Sequence, residues 1–116
     1  MAALLGKAQA DGGLVVCAPV YAELLAHPKA TRKFVDEFLT RTNVTIEFLF
    51  DEEAWHEAAQ AFAQYAQRRR KSGGAIPKRF LADFMVGAHA WIRADRLFTL
   101  DKTRYDRSFP KLRLLP

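Results

Sequence analysis

Four short apolar runs are separated by longer stretches with helical periodicity, and this alternation limits the possible folds more than any other feature. "LVVCA" (14–18) is continuously apolar, "NVTIEFLF" (43–50) is rich in β-branched and aromatic residues, and "LFTL" (97–100) and "KLRLL" (111–115) are shorter versions. A strand buried on both faces of a parallel sheet reads this way. Strands alternating with helices predict an α/β fold with a mostly parallel sheet. At 116 residues, with half of them hydrophobic, the chain fits one domain with a real core.

The helical stretches are bounded by their own punctuation. "AALLGKAQA" (2–10) is rich in helix formers and stops at "DGG" (11–13). Pro19 suits the first turn of the next helix, which "HP" (27–28) ends. In "ATRKFVDEFLTR" (30–41), Phe34, Val35, Phe38 and Leu39 mark one face. Asp51 reads as an N-cap with Glu52 and Glu53 in the first turn, and Trp55, Ala58, Ala59, Phe62, Tyr65 and Ala66 form the next stripe. That helix ends in "RRRK", cations its dipole favours, ahead of a loop at "SGG" (72–74). A last long helix after Pro77 carries Leu81, Phe84, Met85, Ala88, Trp91 and Ile92 as its core stripe.

A net charge of +5 admits two readings: a polyanionic partner such as nucleic acid, or plain solubility. The single cysteine, Cys17, excludes an intrachain disulfide and reads as a small buried hydrophobe in a reducing compartment. No apolar run is long enough to span a bilayer, and the first residues lack the pattern of a secretory leader. A soluble, cytoplasmic protein is expected.

Three acids stand where strands give way to helices. Open parallel sheets bind ligands beyond the C-terminal ends of their strands. Asp101 directly follows "LFTL", and Glu23 lies about one turn into the helix after "LVVCA". Asp83 opens the helix that feeds the Asp101 strand, and it joins the others only if that helix begins at the same edge. Converging carboxylates need a cation or protons. Oxygen ligands suit Mg²⁺ or Mn²⁺, and no Cys/His cluster offers zinc an alternative. Hydrolysis of a phosphodiester by water that such a cation activates is the natural reaction, with Lys78, Arg79, Lys102 and Arg104 placed to bind a nucleic-acid backbone. Each acid also has an ordinary role: Glu23 as a surface glutamate, Asp83 as a helix-dipole acid, Asp101 as a turn residue. Thr99 either orients Asp101 or fills a strand position. His89 has no ligand partner at i+4.

"VYAELLA", "ADFMVGAHA" and "LFTLDKTRYDRSFP" resemble, in order and over nearly the whole chain, the PIN-domain family, and more closely its VapC-type toxins. The resemblance implies a three-layer α/β/α PIN-like domain spanning 1–116. It further implies a Mg²⁺- or Mn²⁺-dependent endoribonuclease acting as the toxin of a type II toxin–antitoxin pair. Matched residue by residue, the family's catalytic, metal-holding acids fall on Glu23, Asp83 and Asp101, and its threonine on Thr99. Gly87 matches a small position where the helix packs closely. Asp106 stands where some members carry a further acid and is not assigned. The partners implied are RNA, a cognate antitoxin protein and a second copy in a homodimer, with no membrane.

The sequence departs from the pattern at its start. The family opens with a strand bearing its first aspartate, whereas Met1 here falls in what reads as the following helix. An N-terminally incomplete PIN-like domain is therefore expected. The alternative is a catalytically impaired PIN-like module that dimerises or binds an antitoxin or RNA without cleavage.

Overall fold

Each pair of short strands runs parallel and is closed by helices from its own stretch of chain. The computed structural model describes residues 2–73 and 80–115. The backbone divides into two compact units, Met1–Leu49 and Phe50–Pro116.

The first unit runs α1 (Ala2–Asp11), β1 (Leu14–Cys17), α2 (Ala18–Leu25), α3 (Arg32–Arg41) and β2 (Val44–Glu47). α1 stops at the expected glycines. The N–H of Gly12 donates to Ala8 O at 3.1 Å and that of Gly13 to Gln9 O at 3.0 Å. Gly13 adopts φ 93°, which a side chain would resist. Pro19 lies in the first turn of α2. Thr31 caps α3, its hydroxyl oxygen accepting from Phe34 N at 3.1 Å. Asn43, at φ 57°, turns the chain from α3 into β2. β1 and β2 pair in register from Leu14↔Val44 to Cys17↔Glu47.

The second unit runs α4 (Glu52–Lys71), α5 (Leu81–Arg93), β3 (Arg96–Phe98), α6 (Lys102–Asp106) and β4 (Arg113–Leu115). Asp51 caps α4 by accepting from Ala54 N at 2.9 Å, and its other oxygen takes Arg93 Nη2 at 2.6 Å. One residue thus satisfies the start of α4 and ties it to the end of α5. β3 and β4 are paired from Arg96↔Arg113 to Phe98↔Leu115. Thr99 N extends the ladder by donating to Leu115 O at 2.8 Å. The core of this unit is Ala58, Ala61, Phe84, Ala88, Ala90, Tyr105, Phe109 and Leu112, flanked by Phe62, Tyr65 and Leu97. Gly87 is buried against the Phe109 ring, and a Cβ there would fall 2.6 Å from Cδ2. Close packing at this glycine is therefore a property of the fold.

The mixture of helices with parallel strands matches the sequence. Among the described residues the strands form two sheets of two, where one continuous sheet was expected. Each ladder is only three or four residues long, and each is joined by its own helical crossover. Two helix faces also differ from the expected stripes. In α3, Val35 and Leu39 are buried while Phe34 and Phe38 are exposed. In α4, Ala54, Ala58 and Ala61 are buried and Trp55 is exposed, its ring edge against Phe50 at 4.9 Å between centroids. Among the described residues, no helix is long and apolar enough to cross a membrane.

Candidate acidic site

The second unit brings two of the three candidate acids to a single guanidinium. Asp101 is the N-cap of α6, three residues beyond the last residue of β3, Phe98. Its Oδ1 accepts from Arg104 N at 3.3 Å and from the Thr103 hydroxyl at 2.9 Å. Its own N–H donates to Thr99 Oγ1 at 3.1 Å. Thr99 therefore sits in the ladder with its backbone and holds Asp101 with its side chain, which answers the question its position raised.

Asp83 is the third residue of α5, where the helix dipole favours an acid. Its Oδ2 accepts from Phe80 N at 3.3 Å. Its Oδ1 accepts from Arg104 Nη1 at 3.1 Å. Arg104 Nε meanwhile lies 3.3 Å from Asp101 Oδ2. α5 thus begins beside the end of β3, as the grouping of the two acids required. The Asp83 side chain is 18% exposed, against 41% for Arg104 and 49% for Asp101. The pair sits at the rim of the unit, with Asp83 the deeper member.

Arg104, expected to face a nucleic-acid backbone, is engaged by the two acids. Lys102 is exposed on the first turn of α6. Lys78 and Arg79 lie outside the described residues. Arg70 and Lys71 are exposed at the end of α4, whereas Arg68 and Arg69 are half-buried.

Glu23 lies in the first unit, exposed on α2. A fourth acid, Glu47, closes β2 opposite Cys17. Burial pushes the Cys17 thiol above its usual pKa, and the charges of Glu23 and Glu47 add to the shift. Hydrogen bonds to the backbone of Val20 and Cys17 oppose it. The thiol is therefore held in its protonated form, as a small core residue and not a nucleophile. Both glutamates act on it from the C-terminal end of the β1–β2 pair, the edge where parallel sheets bind ligands. Glu47 ends β2 within the run "NVTIEFLF", which is dominated by β-branched and aromatic residues, so hydropathy does not single out its acid. His89 is buried in α5.

Asp83 and Asp101 offer the oxygen donors that hard cations take, and one oxygen of each faces the Arg104 guanidinium. Among the described residues, no group of three or more His, Cys, Asp or Glu side chains is gathered closely enough to hold a metal ion. Comparison with family models, with curated proteins and with solved structures finds no match to this chain.

Proposed function

We propose that the chain is a metal-dependent endoribonuclease of the PIN-domain, VapC-type class, with the three-layer α/β/α fold of that class. On this reading it is the toxin of a type II pair and hydrolyses RNA phosphodiesters. The observation that carries the reading is the meeting of Asp83 and Asp101 around one cationic group, although 18 positions separate them. Two carboxylates held together near the end of a parallel strand need a cation beside them; the Arg104 guanidinium stands there, and the reading gives a metal ion the same place.

Within this reading Asp83 and Asp101 would hold Mg²⁺ or Mn²⁺, which would supply Lewis-acid activation of water and charge for the phosphoryl oxygens, and the resemblance adds Glu23 to that set. Thr99 keeps the Asp101 backbone in place, and the N–H groups of Phe80 and Arg104 each fix one carboxylate oxygen. Such positioning matters because misplacement by about 1 Å can cost on the order of 10²-fold in rate. Lys102 stands by for the RNA backbone. A cognate antitoxin and a second copy of the chain are the protein partners of this reading.

The test is cleavage of structured RNAs with Mg²⁺ or Mn²⁺ by the wild type and by Asp83→Asn, Asp101→Asn and Glu23→Gln. Wild-type cleavage that all three variants lose supports the assignment. A second reading is favoured by the engagement of both carboxylates with Arg104: a PIN-like module that dimerises or binds antitoxin or RNA without cutting. Wild-type protein that retains RNA in a filter assay yet leaves it intact with either metal would select that reading.

A further inference from the structure

The net charge of the chain falls on one of its two units. Residues 1–49 carry five Lys or Arg and five Asp or Glu, so the whole +5 belongs to residues 50–116. Within that second unit α4 separates its charges. Glu52 and Glu53 stand in its first turn and Arg68, Arg69, Arg70 and Lys71 in its last, about 30 Å away at the rise of an α-helix. α4 and α5 run antiparallel. Asp51, at the start of α4, pairs with Arg93 at the end of α5, and Phe84, in the first turn of α5, packs on Tyr65 at 5.5 Å between ring centroids. The Arg68 guanidinium lies over the same Tyr65 ring, 6.0 Å from its centroid. The basic end of α4 therefore stands where α5 begins.

That end also presents an aromatic ring to solvent. Phe80, the N-cap of α5, is 77% exposed, more than any other aromatic side chain among the described residues. Its backbone is nonetheless pinned: its N–H donates to Asp83 Oδ2 at 3.3 Å and its carbonyl accepts from Asp83 N at 3.0 Å. Arg70 and Lys71 are exposed at the end of α4, and Lys102 is exposed directly after Asp101.

We propose that Phe80 is a stacking platform for one base of single-stranded RNA, whose phosphates are held by Arg70, Lys71 and Lys102. This rests on RNA as the partner, which both readings above share, and on neither a metal nor cleavage. Single-stranded nucleic acid is bound by this combination: cations that follow the backbone and an aromatic face that accepts any base. The charge selects the occupant, because a ring set among exposed cations matches a polyanion that also carries flat apolar faces. A duplex keeps its bases paired and stacked, so it has little to offer the ring. The acids beside Phe80 are partly offset, since Arg104 lies 3.1 Å from Asp83 Oδ1 and 3.3 Å from Asp101 Oδ2.

The experiment is fluorescence anisotropy in EDTA, with a labelled RNA of about 12 nucleotides, within the span of known single-strand sites, as a single strand and as a duplex. The full chain is used as wild type, Phe80→Ala, Phe80→Leu, Phe80→Trp, Arg70→Gln and Lys71→Gln, each checked for helix content by circular dichroism. All of these keep the backbone bonds between Phe80 and Asp83. The wild type should prefer the single strand. Phe80→Ala and Phe80→Leu should each weaken binding between about fivefold and a hundredfold, the range for loss of one stacked base, and Phe80→Trp should restore it. These three should leave the salt dependence unchanged. Arg70→Gln and Lys71→Gln should each lower the slope of log affinity against log salt by about 0.7, one phosphate contact on a single strand.

Binding by Phe80→Leu as tight as that of the wild type makes the ring a plain apolar contact and overturns the proposal. Preference of the wild type for the duplex overturns it as well, and so do unchanged salt slopes in both cation variants. In each of these outcomes the wild type still binds RNA, and the RNA reading stands. Absence of RNA binding by the wild type removes that reading and this inference together; self-association in light scattering that Phe80→Ala then abolishes would make the ring a protein contact instead.

Discussion

The helix that carries Glu23 and the helices that carry Asp83 and Arg104 are anchored very differently. α2 has no buried residue. In the second unit, each site residue sits next to a core residue: Phe84, 2% exposed, follows Asp83, and Tyr105, 7% exposed, follows Arg104. Among the described residues of the first unit, Cys17, Val35 and Leu39 are the buried apolar side chains, whereas the second unit buries aromatic rings and small residues together. Both units build a parallel β-pair with a helical crossover. Only the second adds enough packed surface around its helix starts to fix where a carboxylate points.

The sharpest way to break this comparison is Phe84→Ala. Removing a nearly fully buried phenylalanine should cost about 3–5 kcal/mol and should free Asp83 from Arg104 at the same time. Both tryptophans, Trp55 and Trp91, lie in the second unit, so tryptophan fluorescence in a urea titration follows that unit. The wild-type fluorescence transition is expected at higher urea than the first loss of helical circular dichroism, and Phe84→Ala should bring the two together. A loss below about 1 kcal/mol, outside the usual range for such truncations, would mean that the second unit does not depend on this core.

Gly87→Ala tests the same packing more locally. The added Cβ meets the Phe109 ring, and overpacking of this kind costs typically about 1–3 kcal/mol. Gly87 also lies one turn beyond Asp83 on α5. A denaturation midpoint unchanged from the wild type would show that the ring yields freely, and the second unit would then be no more rigid than the first.

Legibility in the sequence follows the same division. Element ends are visible where a local chemical reason sets them: the glycines at 12 and 13, Pro19, Thr31 and Asp51 each act within a few residues. The buried faces are less legible because hydropathy ranks Trp55 above Ala54. Close helix packing ranks them the other way, and Ala54, Ala58 and Ala61 face inward. The same competition leaves Phe34 and Phe38 exposed beside the smaller Val35. At the site, the pairing of Asp101 with Arg104 is an i,i+3 relation that a helix makes visible. The share of Asp83 in that arginine depends on where α5 begins in space, and no local pattern carries that. Glu23 was legible as a candidate by its offset from β1, and among the described residues its carboxylate shows no comparable anchor.

The smallest expected effect concerns how α2 is held without buried side chains. The Tyr21 hydroxyl donates to Asp36 Oδ1 at 2.5 Å, linking α2 to α3. Arg32 pairs with the same carboxylate at 3.5 Å. Accepting this hydrogen bond, Asp36 holds the Tyr21 phenol above its usual pKa; partial burial and the Asp36 charge add to the rise, and Arg32 opposes it. Because the folded pKa is raised, the protonated phenol favours the folded state. That contribution is complete below the unfolded tyrosine value of about 10 and is lost as pH rises through the folded value. Thermal melts followed by circular dichroism from pH 8 to pH 12 should therefore show the wild-type advantage over Tyr21→Phe shrinking through the alkaline range. Lysine and arginine titrate in both proteins and cancel in that difference. Asp36→Asn should narrow the same difference at pH 8, since the charged acceptor is what makes the bond strong. A difference that stays constant across the range would show that α2 is held by something other than this polar link, and the contrast between a pinned and a packed unit would lose its main support.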